Sequence, residues 1–242
     1  MARGTTGLSA VVAALLVSGT LLGAAGPREG TPPQPPPDRL MALTTSQNLG
    51  ATAGGAIARF LEIARPAAVS ADDKRRVLAS LPPEGTVTNL DTAERQKLMA
   101  LTRLLRAAER ASVYEINVID VPQAVVGIHG RTVILISAPA LALVDAQELQ
   151  ALVAHEVGHE YLWAEREQAF RLGDSSRLKD VELMCDGLAI VMLRPLGIDG
   201  FRLMAALEKI SRFNRERFGK ANNEGDYPTL AERRAFARTI GR

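Results

Sequence analysis

Hydrophobic and polar positions fall into three regimes along the chain. The first, from about residue 49 to 110, has helical spacing. "LGATAGGAIARFLEIARPA" reads as a small-residue helix ended by Pro66, and "SADDKRRVLASLPPEG" as a short helix with Ser70 as N-cap and Pro82 and Pro83 as its stop. "DTAERQKLMALTRLLRAAERAS" is a longer helix, with Asp91 and Glu94 in capping-box spacing and Leu98, Leu101, Leu105 and Ala108 on one face. The period then shortens. "VYEINVID" (113–120), "AVVGI" (124–128) and "TVILIS" (132–137) are β-rich runs, with His129 and Gly130 as a hairpin turn between the last two. After Pro139 the helical period returns. "DAQELQALVAHEVGHEYLWAEREQAF" reads as one helix capped by Asp145 and Glu148, followed by "DSSRLKDVELMCDGLAIVMLRPLG", "IDGFRLMAALEKISRFNRERFG" and "PTLAERRAFARTI", the last capped by Thr229 and Glu232. The pattern predicts an α+β fold, mostly helical with a small β-sheet.

The N-terminus carries a different signal. Arg3 precedes "LSAVVAALLVSGTLLGAA", an uncharged run from Leu8 to Ala25 that ends in the small residues Gly23, Ala24 and Ala25. Residues 1–25 read as a signal peptide. An uncleaved anchor is the alternative, since about 18 apolar residues just span a bilayer. A proline-rich tether follows over 26–43, and a single folded domain over 44–242. The expected location is periplasmic or extracellular, membrane-tethered if the segment is kept.

Composition narrows the function classes. Aromatic content is only 4%, so the core is expected to be aliphatic. A net charge of +2 with no basic block excludes a nucleic-acid partner. From Arg202 onward ten Lys/Arg face five Asp/Glu, a solvated helix surface with weak attraction to an anionic membrane face. The single cysteine, Cys185, precludes an intramolecular disulfide and reads as a small buried hydrophobe.

Candidate chemistry centres on "ALVAHEVGHEYL" (151–162). It holds His155 and His159, two of the chain's three histidines. Four residues on a helix turn through about 400°, so both imidazoles project from one face and can share a zinc ion. Glu156 lies about 100° round from His155, where it can reach water activated by the metal without ligating it. The metal acidifies water, and the glutamate moves the proton to a leaving amine. Gly158 in mid-helix costs about 1 kcal/mol against alanine and suggests a close approach by another element. A third ligand is needed. "ELMCD" offers Glu182, with Asp186 one turn on to hold a ligating imidazole by its other nitrogen. Asp180 competes but lacks a carboxylate one turn later. Glu160 reads as solvated, and His129 as an exposed turn residue.

"HEVGH" followed by "ELMCD" resembles the gluzincin pattern of the HtpX-like and CAAX-prenyl-protease-like metalloendopeptidases, metallopeptidase family forty-eight. The resemblance covers roughly residues 115 to 240 and includes "GIHGRTVILISAPALALVDAQELQALVAHEVGHE" and "CDGLAIVMLRPLGID". It implies a zincin-like (minigluzincin) domain with the sheet beside the active-site helix. It also implies one zinc held by His155, His159 and Glu182, with Glu156 as general base. The family's substrate-binding edge strand maps onto "TVILIS", where an extended polypeptide could add by backbone hydrogen bonds. Two departures stand out. Tyr227 in "DYPTLAERR" takes the place of a downstream family histidine, where its hydroxyl can meet a developing oxyanion; Arg233 and Arg234 are weaker candidates that read as solvated. The short spacing from His159 to Glu182, with no multi-span region, favours a compact soluble form. The expected activity is zinc-dependent endopeptidase action on extended or misfolded polypeptides. The alternatives are a catalytically silent zinc-containing peptide-binding adaptor and a closed structural zinc site.

Overall fold

Local capping chemistry sets where the helices begin. In this computed structural model, which describes residues 51–66, 68–81, 85–219 and 227–240, Ser70 accepts from the Asp73 amide at 3.0 Å. Reciprocal capping boxes join Asp91 to Glu94 (2.7 and 2.9 Å) and Asp145 to Glu148 (2.8 and 2.8 Å). A third joins Thr229 to Glu232 (3.2 and 2.6 Å). Each cap is worth about 1 kcal/mol. The signal peptide and tether assigned to 1–25 and 26–43, and the stop at Pro82 and Pro83, lie outside the described residues.

The helices are α1 (Ala51–Ile63), α2 (Ala71–Ser80), α3 (Thr92–Ala107), α4 (Ala138–Leu143), α5 (Ala146–Tyr161), α6 (Trp163–Leu172), α7 (Ser175–Leu193), α8 (Phe201–Phe218) and α9 (Leu230–Ile240). The strands are β1 (Glu115–Ile119), β2 (Val126–His129) and β3 (Val133–Ser137). The fold is α+β, mostly helical with one three-stranded sheet. Among the described residues no helix is long and apolar enough to cross a membrane.

The sheet corrects one expectation. Its order is β1–β3–β2, with β1 parallel and β2 antiparallel to β3. "TVILIS" is therefore the central strand, not an edge. Every residue of β3 is buried, which requires cover on both flanks and both faces. The edge that packs against α5 is β2, which is half-buried throughout. The hairpin turn also sits one residue later than expected. Gly130 and Arg131 both take positive φ (53° and 60°), and the Thr132 amide donates to the His129 carbonyl at 3.1 Å. His129 is thus the half-buried last residue of β2, not an exposed turn residue.

The core is built around α5 and α7, which pack against each other. Helices α3 and α8 flank α5, and α1, α6 and α9 flank α7. The two central helices meet at Gly158, where an added Cβ would stand 3.1 Å from Cys185 Cα and 3.2 Å from its carbonyl oxygen. The expected continuous helix from Asp145 to Phe170 breaks at Leu162 (φ −114°, ψ 20°). The Leu162 amide bonds the His159 carbonyl at 3.3 Å, a tightened last turn, and α6 restarts with the Arg166 amide on the Leu162 carbonyl at 2.9 Å. The break keeps Leu162 and Ala169 both buried.

Candidate metal centre

Two neighbouring helices bring the titratable side chains together. His155 and His159 come from α5, one turn apart, with ring centroids 4.9 Å apart and planes at 88°. Glu182 and Asp186 come from α7, also one turn apart. His155 Nε2 lies 3.3 Å from Glu182 Oε2, and His159 Nε2 lies 3.5 Å from Glu182 Oε1. All four side chains are buried.

The outer nitrogens are held differently. His155 Nδ1 meets Asp186 Oδ1 at 2.9 Å, whereas His159 Nδ1 meets the Cys185 sulfur at 3.3 Å. Cys185 is buried as expected, but that contact was not anticipated. Arg233 on α9 bonds Glu182 Oε2 at 3.0 Å and Asp186 Oδ1 at 2.6 Å. Asp186 Oδ2 has no hydrogen-bond partner. Arg233 is itself buried, so the reading of it as solvated is corrected. Two carboxylates out of water need a cation, and a planar guanidinium fork can serve both. Arg234 is half-buried and pairs with Glu208 at 2.6 Å.

Electrostatics follow from this packing. Burial opposes charge on His155, but hydrogen bonds to Asp186 and Glu182 outweigh it and push its pKa up to about 10. Burial pushes His159 down to about 3, with its positive neighbours adding to the effect. Without a metal the proton is therefore favoured on His155 over His159. Burial alone would raise Glu182, but His159, His155 and Arg233 hold it well below the usual carboxylate range. Burial lifts Glu156 to about 7, with His155 the largest opposing influence and a hydrogen bond from the Ile128 backbone of β2 a smaller one.

Two buried histidines and adjacent glutamates form a group that can hold a metal ion. His155, Glu156 and His159 each offer a ligand atom within 4.8 Å of the others, and Glu156 keeps partial exposure where the other two are buried. Glu182 competes for the same role, since its two oxygens reach both imidazoles and Arg233 fixes its carboxylate.

The remaining sequence candidates are distributed around this centre. Tyr227 is half-buried, and burial raises its hydroxyl, with Glu182, Arg166, Glu156 and Arg233 in electrostatic range. Asp180 is half-buried on α7, two residues and so about 200° round the helix from Glu182. Glu160 is not solvated: it is 3% exposed and takes Arg131 Nε at 3.0 Å and Nη2 at 3.2 Å. Its partner comes from the β2–β3 turn, which a helix-only reading of Glu160 could not supply. His129 is half-buried at the end of β2, and burial pushes its imidazole pKa down. Arg233 was the functional group most underrated by sequence reasoning. Its signal was its position one helical turn past the Thr229 cap, on the inward face of α9.

No protein-family model matches the chain, and no curated protein matches its sequence.

Proposed function

We propose that the chain is a zinc-dependent endopeptidase of the compact gluzincin type, cleaving extended or misfolded polypeptides outside the cytoplasm. One observation carries this reading. Zinc ligand bonds of about 2.0–2.2 Å imply tetrahedral ligand separations of about 3.3–3.5 Å. Each imidazole meets one carboxylate oxygen at that separation: Glu182 Oε2 stands 3.3 Å from His155 Nε2, and Oε1 stands 3.5 Å from His159 Nε2. His155, His159 and Glu182 would hold the ion. Asp186 and Cys185 would orient the imidazoles through Nδ1, and Arg233 would fix both α7 carboxylates. Glu156, partly exposed, is left to the solvent side.

Zinc supplies Lewis acidity to water and to a peptide carbonyl. The chain's own groups supply the rest. Glu156 takes a proton from the attacking water as the oxygen–carbon bond forms, then delivers it to the amine nitrogen as the carbon–nitrogen bond breaks. Tyr227 donates its hydroxyl to the carbonyl oxygen as charge develops there. Strand β2, the edge next to α5, offers backbone groups to an extended chain. Export rests on Arg3 and the uncharged run from Leu8 to Ala25.

The test is casein cleavage with and without chelator, beside Glu156→Gln, together with metal analysis of wild type and Glu182→Ala. The expected result is chelator-sensitive cleavage, no cleavage by Glu156→Gln despite bound metal, and metal loss in Glu182→Ala. Metal bound without cleavage by wild type would make the chain a peptide-binding adaptor. Unfolding on chelation would make the ion structural.

A further inference from the structure

Arg131 stands where backbone preference alone would not put an arginine. It is the second residue of the β2–β3 turn and takes φ 60°, a left-handed conformation that a side chain makes costly. Its side chain is firmly held. Nε donates to Glu160 Oε1 at 3.0 Å and Nη2 to Glu160 Oε2 at 3.2 Å, a two-pronged fork on a buried carboxylate. The guanidinium carbon also stands 5.6 Å from the ring centroid of Trp163, at the start of α6. The neighbouring Gly130 lies so close to α2 that an added Cβ would stand 2.5 Å from Val77 Cγ2. Helices α2, α5 and α6 thus grip one turn.

The grip matters for the strand that leads into the turn. The Ser137 amide donates to the Val125 carbonyl at 2.9 Å, and the register pairs Gly127 with Leu135 and His129 with Val133. Antiparallel ladders alternate, so Val125, Gly127 and His129 turn their backbone groups to β3, while those of Val126 and Ile128 face the free edge. On α5, Glu156 and Glu160 are one turn apart and share a face. Glu156 accepts from the Ile128 backbone, and Glu160 holds Arg131. The helical turn that carries His159 therefore also anchors the β2 edge, so edge and metal ligands are referenced to one element. A strand of four residues with a partner on one side only depends on such an anchor. Productive pairing requires it within about 0.5 Å of its place.

We propose that Arg131 is a positioning residue for substrate: by clamping the β2–β3 turn to Glu160 and Trp163, it holds the free edge of β2 where an extended polypeptide can add to it as a further strand. The cleft then favours peptides long enough to pair with Val126 and Ile128 over those that occupy only the residues flanking the cleaved bond. This deepens the endopeptidase reading and rests on it. A further pair of backbone hydrogen bonds supports a preference of about tenfold.

The test uses three matched peptides: a blocked dipeptide spanning only the cleaved bond, a longer peptide with the same residues at its centre, and that longer peptide with N-methylated flanking amides that cannot donate to a strand. Cleavage by the metal-loaded wild type is resolved into kcat and KM. Binding to metal-loaded Glu156→Gln is measured by calorimetry. The expected result is a preference of about tenfold for the unmodified longer peptide over both others, carried by KM and affinity. Arg131→Gln should reduce it to within about twofold, and Arg131→Lys should retain part, since an ammonium cannot reproduce the fork. The double variant Arg131→Gln/Glu160→Gln leaves no unpaired buried carboxylate and should lose the preference equally, which guards against a folding defect in the single variant. Equal binding of the three peptides by the Glu156→Gln chain overturns the inference without any Arg131 variant. So does a loss of equal size on all peptides in Arg131→Gln, or loss of metal by both variants, either of which would make the clamp merely structural. A preference retained in the double variant overturns it as well. Absence of cleavage of every peptide and of casein refutes the endopeptidase reading instead, while the calorimetric preference, with the same substitutions placed on Glu156→Gln, still decides the role of Arg131.

Discussion

Replacing Gly158 by alanine tests the crossing that brings Glu182 to the two imidazoles. The new methyl group would lie 3.1 Å from Cys185 Cα, 3.2 Å from its carbonyl oxygen and 3.3 Å from its Cβ. Two of these atoms are backbone and cannot rotate away, so α7 must yield by a few tenths of an ångström. Alanine gains about 1 kcal/mol of helix propensity over glycine, and overpacking costs about 1–3 kcal/mol. The net loss is about 0–2 kcal/mol, a drop of up to about 8 °C in Tm for a domain of this size. Glu182 lies three residues before Cys185 and moves with it. Ligand geometry tolerates displacements of only about 0.5 Å, so a shift of a few tenths takes up much of that margin and metal affinity should fall severalfold. Thermal melts of the metal-free and metal-loaded chain, with chelator competition, read both effects. Gly55→Ala is the control: nothing lies within 4 Å of its added Cβ, and it should gain about 1 kcal/mol. If Gly158→Ala gains stability like Gly55→Ala and binds metal like wild type, the crossing does not set the ligand geometry.

Three further outcomes follow from the same centre. Arg233→Met strips the cation from two buried carboxylates and should cost the metal-free chain about 3–5 kcal/mol in denaturant melts; an unchanged midpoint would contradict the charge balance described for the pocket. Asp186→Asn preserves shape but removes the charge behind His155, and chelator competition should show metal affinity lower by about 10–100-fold. Metal uptake should also depend on pH. His155 is pushed up to about 10 without metal, so below that value the ion must displace its proton. Affinity should therefore fall about tenfold per unit as pH drops from 8 to 6. A flat profile in that window would show that His155 is already neutral.

What the sequence made legible was local. Asp91 with Glu94, Asp145 with Glu148 and Thr229 with Glu232 define helix starts because each pair acts across three residues. The spacing of His155 and His159, and of Glu182 and Asp186, places each pair on one helix face for the same reason. Non-local relations were less readable. The central place of β3 depends on which strands flank it, although its unbroken apolar run hinted at two covered faces. Arg233 meets Glu182 across 51 residues, and Arg131 meets Glu160 across 29, so neither ion pair has a spacing signature. The break at Leu162 reflects tertiary burial overriding an uninterrupted helical pattern.

The unequal backing of the two imidazoles has a consequence for assembly of the centre. Asp186, itself clamped by Arg233, pins one ring through a charge-assisted contact, while a thiol makes only a weak grip on the other. Before any ion arrives, the His155 half of the cradle is a rigid template and the His159 half the looser jaw. A cation would find the neutral His159 ready to ligate but loosely held, whereas the firmly held His155 must first give up the proton it shares with Asp186 and Glu182.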